Sequence, residues 1–437
     1  MTKTWWIQKK CCIFCGKRER YESTDDEENA DIIVVNTCCF IHDAKEESID
    51  TILEMGKYRL SGKVKALIVT GCLAQRYREE ILKEIPEVDA VLGTASYDDI
   101  LEAVEKTLKG EKYLSFRPTD RLVDTGGGRI ITTGGAYEYL RIAEGCAKHC
   151  TYCVIPKVRG GYRSIPMERL LDTARQMVGE GVKELIVIAQ ETTLYGTDLY
   201  GKKSLHILLE KLCRIEGLVW IRLLYCYPEE IYPELVDTIA REPKICHYLD
   251  LPIQHCSDSI LKRMGRKTTK ADLERIITEI RERIPDMVIR TTLITGFPGE
   301  TKEDHEELMQ FVADMAFDRL GVFTYSPEED TPAAAMENQV PEEVKEQRKA
   351  ELMELQQDIS LELDQERIGE ELLVFVEGKV ADENAYVGRT YADAPGIDGY
   401  IFVNTGESLM TGDFVRVKVT GALEYDLIGE IADEYTE

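Results

Sequence analysis

Short runs of β-branched and aliphatic residues recur along most of this chain, each followed by a stretch with helical spacing. An apolar run without polar alternation reads as a strand buried on both faces, and such strands belong to parallel sheets covered by helices. Asp31–Thr37 (DIIVVNT) is the first such run, Ala66–Thr70 (ALIVT) the second, and Ala90–Gly93 ends a third. Helical stretches at Ala44–Met55 and Glu79–Leu82 lie between them. This order predicts a small doubly wound α/β domain. Farther on, Tyr139–Ala143, Glu184–Ala189, Val219–Tyr225, Tyr248–Leu251, Val288–Leu293 and Gly321–Tyr325 alternate with helical stretches such as Glu168–Val178 and Leu273–Ile284. Six βα repeats within roughly 190 residues predict a partial parallel (βα)6 barrel.

Pro341–Arg367 reads as a long charged helix, and the pattern then changes. Leu372–Val380, Tyr400–Val403 and Phe414–Thr420 alternate apolar and polar residues, with Gly388, Gly399, Gly406, Gly412 and Gly421 punctuating them. Short alternating strands separated by glycines predict a small all-β barrel. The expected boundaries are an α/β domain over 1–124, a linker over 125–135, the partial barrel domain over 136–368 and the terminal β-barrel over 369–437.

With 43% hydrophobic and 31% charged residues, the chain is a folded one and not a disordered one. Its net charge of −27 argues against a surface that tracks phosphates. No apolar run is long enough for a membrane span, and the N-terminus lacks the apolar core of a signal peptide. A cytoplasmic location is expected, where the 13 cysteines are reduced and serve metal or redox chemistry before disulfides.

Cys146, Cys150 and Cys153 stand in EGCAKHCTYCVIP, a C-x3-C-x2-C loop just after a predicted strand. Three thiols so close in one loop suit the soft, anionic shell of an iron–sulfur cluster. Three ligands for four irons leave one iron open to a substrate or cofactor. The plainer alternative is a structural zinc site completed by another ligand such as His149. Cys38 and Cys72 fall just past the carboxyl ends of two parallel strands, where such sheets place ligands. Cys39, beside Cys38, is expected to pack, as is Cys213 within its helix. Gln254 and His255 follow a barrel strand, where either structural hydrogen bonding or ligand contact would suit them.

The stretch EGCAKHCTYCVIPKVRGGYRS resembles the cluster loop of radical S-adenosylmethionine enzymes, and specifically of methylthiotransferases. NTCCFI (Asn36–Ile41) and VTGCLAQRY (Val69–Tyr77) resemble that family's auxiliary-cluster motifs, and the terminal barrel resembles its TRAM domain. The resemblance implies two 4Fe–4S clusters. Cys146, Cys150 and Cys153 would hold the first, whose open iron binds S-adenosylmethionine. Cys38 and Cys72 would supply two ligands of the second. Tyr152, Gln190, Glu191 and Gly296 match family positions around the bound S-adenosylmethionine, the glycine in LITGFPGE permitting close backbone approach. An electron donor of the flavodoxin or ferredoxin type and a sulfur donor are implied as partners.

The family divides by substrate. One branch modifies an adenosine of tRNA, the other an aspartate of small-subunit ribosomal protein twelve. Residues 370–437 carry four basic and fifteen acidic residues, a poor surface for phosphates and a good one for a basic protein. IAQETTLYGTDLYG and VGRTYADAPGIDGYIFV, the latter with an acidic, proline-bearing loop, also resemble the protein branch. The expected function is methylthiolation of the aspartate β-carbon; the alternatives are the tRNA reaction and an inactive relative.

The inactive alternative arises from the first twenty residues. They carry six basic residues, one acid, three cysteines and two of the three tryptophans. Where the family has a Cys-x-Lys-Asn-x-Val-Asp-Ser-Glu motif, whose cysteine is the first auxiliary ligand, this chain has MTKTWWIQKKCCIFCGKRER. Trp5-Trp6-Ile7 must be encoded TGG TGG ATH, and a one-base shift of that DNA permits Leu-Val-Asp. Extending the shift permits Asp-Lys-Asn-Leu-Val-Asp-Ser, the missing motif. The expectation is therefore an out-of-frame start with the normal frame resuming near Tyr21, an incomplete second cluster and a proper start upstream. Cys12-x-x-Cys15 as a metal or redox pair is the competing reading.

Overall fold

Four parallel strands, Ile32–Thr37, Ala66–Gly71, Ala90–Leu92 and Tyr113–Ser115, form the first sheet and run in sequence order. The computed structural model describes residues 24, 26–123 and 135–432, so the anomalous first twenty residues and most of the predicted linker lie outside the described part. Ala66–Gly71 is buried at every position, which is why its sequence shows no alternation. Gly71 takes a φ of 100°, and a Cβ there would collide with the backbone of Thr37. Only glycine allows the strand to turn so closely past its neighbour into the helix Cys72–Tyr77.

The second sheet is parallel throughout. Its spatial order is Arg319–Thr324, Val288–Thr295, Ile245–Asp250, Trp220–Leu223, Glu184–Ile188 and Tyr137–Arg141. These are the six expected strands with ends shifted by a few residues, and they make the partial barrel. Glu371–Lys379, Ala385–Arg389, Ile401–Asn404, Leu427–Ile431 and Phe414–Ala422 close, in that order, into a five-stranded barrel. Closure removes the open edges that short antiparallel strands would otherwise expose. No helix among the described residues is long and apolar enough to cross a membrane.

The segments assemble into two compact units that interleave along the chain. The first combines the N-terminal sheet with the cysteine loop, Glu144–Ile165, and with Ser326–Ala334. The second combines the six-stranded barrel with the terminal β-barrel.

Within the second unit, the terminal barrel seats on the amino-terminal ends of the parallel strands. Trp220 meets Phe414 edge-on at 4.8 Å between ring centroids, and Phe375 meets Phe414 at 5.2 Å. At the centre of this floor the fully buried Glu184 accepts from Arg222 Nε at 2.9 Å and from Arg389 Nη2 at 2.7 Å. Burial opposes a charged carboxylate, yet the two guanidiniums outweigh it and hold the Glu184 carboxyl below its usual range. Arg222 also donates to the carbonyls of Tyr391 and Thr390. The loop after Ala385–Arg389 inserts its acids here. Asp393 pairs with Arg319 at 3.0 Å, and Asp398 pairs with Arg290 at 3.3 Å. The acidic, proline-bearing loop that resembles the protein branch therefore faces inward. Asp393 and Asp398 are buried counter-ions of barrel arginines and not part of an outer acidic face.

Removing one partner of a buried charge set leaves the others unpaired. Arg389→Met is expected to destabilise the second unit by about 3–5 kcal/mol, read as a lower midpoint in urea unfolding.

Candidate functional site

Cys38 and Cys72 stand one residue past the ends of two adjacent strands, whose last pair is Thr37 and Gly71. Cys38 is tied down by Ser48, whose hydroxyl accepts from the Cys38 N–H and donates to its carbonyl, both at 3.0 Å. Burial and then the nearby Cys72 sulfur push the Cys38 thiol up. Cys39 is buried in the apolar core of the sheet, and burial, then the Cys72 and Cys38 sulfurs, push its thiol up to about 12.

The cysteine loop belongs to the same unit. Gly145 at φ 80° and His149 at φ 54° turn it, and Cys146 and Cys150 are buried while Cys153 and Tyr152 are half-buried. A Cβ on Gly145 would overlap the carbonyls of Gly160 and Gly161, so the loop closes on itself there. Burial, then the Cys150 and Cys146 sulfurs, push the Cys153 thiol up to about 12. Among the described residues no three His, Cys, Asp or Glu side chains converge as they would on a single ion. The fit to a cluster rests on donor chemistry instead: three soft thiols of one short, closed loop, each within electrostatic reach of the next.

One side chain joins the two cysteine motifs. Arg159 lies six residues beyond Cys153, with most of its side chain out of solvent. Its Nε donates to Cys72 Sγ at 3.2 Å and its Nη1 to Glu144 Oε1 at 3.0 Å. Burial opposes its charge, but Cys72, Tyr97 and Glu144 outweigh burial and keep the guanidinium protonated. A second tie is Ser326–Ala334. Its buried Glu328 accepts from Arg76, on the Cys72 helix, at 2.9 Å and lies 3.7 Å from Lys45. The N–H of Ala333 donates to the carbonyl of Thr151, between Cys150 and Tyr152. Sequence reasoning missed Arg159, Arg76 and Glu328. The basic run after the third cysteine was the available signal for Arg159.

Gln190, Glu191 and Gly296 lie in the second unit, at the carboxyl ends of barrel strands. Glu191 is fully buried and turns back on its own loop, accepting from Thr193 N at 3.0 Å and from the Thr193 hydroxyl. Gly296 has φ 71°, and a Cβ there would strike the Lys345 side chain. The close approach this glycine permits is that of the helix Glu342–Glu366. Gln254 has φ 72° and pairs with Leu293 by an isolated bridge. His255 is buried, with Nδ1 accepting from Ser257 N at 3.0 Å, and burial pushes its pKa down to about 3. It is a neutral, structural imidazole.

Three family models match the chain: the radical SAM superfamily over residues 140–312, uncharacterized protein family UPF0004 over 14–93, and the TRAM domain over 368–432. The chain is 63% identical over 409 residues to the ribosomal protein uS12 methylthiotransferase RimO of Lachnoclostridium phytofermentans, covering 94% of this chain and 93% of that protein. It is 50% identical over 420 residues to the RimO of Clostridium botulinum, covering 96% and 94%. Among solved structures, the radical S-adenosylmethionine methyltransferase TsrM of Kitasatospora setae, with cobalamin and a 4Fe–4S cluster bound, matches with a TM-score of 0.54 at 13% identity. It covers 75% of this chain and 73% of that chain, a likeness of fold alone.

Two measurements follow from the geometry. Arg159→Met is expected to weaken retention of iron by the reconstituted chain about 10–100-fold against a chelator, with Arg159→Lys intermediate. Iron and sulfide counts on the reconstituted chain read this. Because the folded His255 titrates near 3 and not 6.5, its stabilising effect is complete above pH 6.5 and is lost as pH falls toward 3. His255→Gln should therefore flatten the fall of melting temperature below pH 6.5, recovering about 2 kcal/mol near pH 5.

Proposed function

Because the chain belongs to the uS12 methylthiotransferase family of radical S-adenosylmethionine enzymes, we propose that it replaces a hydrogen on the β-carbon of one aspartate of ribosomal protein uS12 with a methylthio group. The observation that carries this reading is identity above 60% to a uS12 methylthiotransferase over nearly the whole of both chains. The gathering of two cysteine motifs into one compact unit supports it. The relatives' names favour the protein substrate over tRNA.

When bound, two 4Fe–4S clusters and S-adenosylmethionine would supply the reductive cleavage, the hydrogen abstraction and the methylthio group. Cys146, Cys150 and Cys153 would hold the first cluster, with Tyr152 beside it, and leave one iron free for S-adenosylmethionine. Gln190 would orient that ligand, while Glu191 and Gly296 shape the strand ends around it. Cys38 and Cys72 would hold part of the second cluster. The family's remaining cysteine has no counterpart in the first twenty residues, the segment read as out of frame, which leaves that cluster incomplete. Arg159 keeps a positive charge against the Cys72 sulfur and so places a donor beside one of these ligands. A flavodoxin- or ferredoxin-like protein would deliver electrons, a separate donor would deliver sulfur, and the cytoplasm, where ribosomes are assembled, is the place of action.

The test is mass analysis of uS12 after anaerobic incubation with the reconstituted chain, S-adenosylmethionine, reductant and sulfide. One methylthio group on a single aspartate is expected. Modification of tRNA with uS12 untouched would overturn the substrate, and cleavage of S-adenosylmethionine without any transfer would point to the inactive relative.

A further inference from the structure

The partial barrel is closed at one end and open at the other. The floor is filled by the terminal barrel and the Asp393–Asp398 loop. At the carboxyl ends of the strands, inward-facing residues stay partly accessible. Phe323, on the last strand, is 47% exposed and packs on the same side as Arg290, flanking Gly321. Thr292 and Tyr139, inward-facing on their strands, are half-buried. Residues at this end of a barrel face the reacting ligand, whereas those at the floor serve stability.

Tyr225, like Gln254, is an irregular residue of this mouth. It follows the third barrel strand, Trp220–Leu223, and takes a φ of 61°. A bulky L-residue rarely enters the left-handed region, and it stays there only where its surroundings over-determine the backbone. Here they do. The Tyr225 N–H donates to Asp250 Oδ2 at 3.0 Å, and its carbonyl accepts from Thr192 N at 3.0 Å. On either side, Leu224 O accepts from the Thr192 hydroxyl at 2.6 Å and Cys226 N donates to Asp250 O at 2.9 Å. Asp250 is itself fixed, accepting from Arg290 Nη1 at 2.8 Å. Arg290 in turn is anchored by Asp398, which accepts from the Tyr248 hydroxyl at 2.6 Å and from Ala394 N at 2.8 Å. A continuous chain of ionic and hydrogen bonds thus runs through the barrel from floor to mouth and ends on the backbone of Tyr225.

Glycine would make the same turn without strain. The strained turn instead carries an aromatic ring, crowded by neighbouring atoms yet 40% accessible. The Tyr139 phenol on the first strand lies within electrostatic reach of it. Packing does not need a ring left so open, whereas an incoming polypeptide does: tyrosine offers a large, rigid contact area with few torsions to freeze.

We propose that Tyr225 is a substrate-contacting residue, its ring held in the barrel mouth to position the segment of uS12 that carries the target aspartate, and that Asp250 is the positioning residue that holds it there. This rests on the reading under Proposed function. The test measures affinity, so it does not depend on turnover. The anaerobically reconstituted chain is titrated with uS12 and, separately, with S-adenosylmethionine. Tyr225→Ala and Tyr225→Gly are expected to weaken uS12 binding about tenfold, as loss of an aromatic anchor does, with S-adenosylmethionine binding unchanged. Tyr225→Phe should return to within about twofold of the parent, since the ring is what makes the contact. The melting temperature of Tyr225→Gly should be no lower than the parent's, because glycine relieves the turn. Unchanged uS12 affinity in the alanine and glycine variants overturns the inference and leaves the proposed function standing. So does a parallel loss of both affinities with a lower melting temperature, the mark of a purely structural role. If the parent itself does not bind uS12, the proposed function fails and the inference falls with it.

Discussion

A carboxylate removed from water has to be met by cations, and at the floor of the partial barrel that carboxylate is Glu184. It sits on the second barrel strand between Arg222 of the third and Arg389 of the terminal barrel, all three fully buried. Attraction at such distances in a low-dielectric interior is strong, but it offsets the desolvation of three charges only when the geometry is complete. The set therefore acts as a specificity device: it is satisfied in one docking of the two barrels and unsatisfied in any slipped one. The apolar contacts around it, Trp220 and Phe375 against Phe414, supply the non-directional part of the same interface.

Closing the floor in this way has consequences at the other end. A six-stranded parallel sheet is not a full barrel, and its interior would be open at both ends without a plug. With Asp393 and Asp398 inserted from below, the arginines on the inner face have partners, and the acids no longer belong to the outer surface. Irregular backbone can then be tolerated at the carboxyl ends, where Tyr225 and Gln254 both adopt left-handed conformations. Rigid floor and irregular mouth are two sides of one arrangement, linked through Arg290 and Asp250.

How much of this was legible in the sequence depends on the range of the interaction. Apolar runs declare themselves, so the six barrel strands and three strands of the first sheet were readable, while the short Tyr113–Ser115 was not. The cysteine spacing was readable because a single loop carries it. Ala385–Arg389 and Leu427–Ile431 were not, since short barrel strands carry little periodicity. Pairings between distant residues left no local trace. Arg389 meets Glu184 across 205 residues, and Arg76 meets Glu328 across 252. The acidic loop at Asp393–Asp398 is a case of the same kind: composition reports charge but not which way it faces. Gly296 shows the related ambiguity, because a glycine that admits a close neighbour does not say whether that neighbour is a ligand or, as here, Lys345.

The first unit turns on a second buried arginine, and the logic differs from that at the floor. Arg159 touches one cysteine sulfur and one carboxylate, Cys72 and Glu144, that belong to segments far apart in the chain. A thiol in such a place is pushed toward its neutral form by burial, as Cys38 and Cys153 are. Arg159 sets a fixed positive charge against the sulfur it contacts. The cysteine loop cannot adopt its place without bringing Arg159 to Cys72, and Arg159 cannot be buried without Cys72 and Glu144 to receive its charge. Ordering of the two cysteine motifs is thus a single event in physical terms, although the sequence presents them as separate signatures.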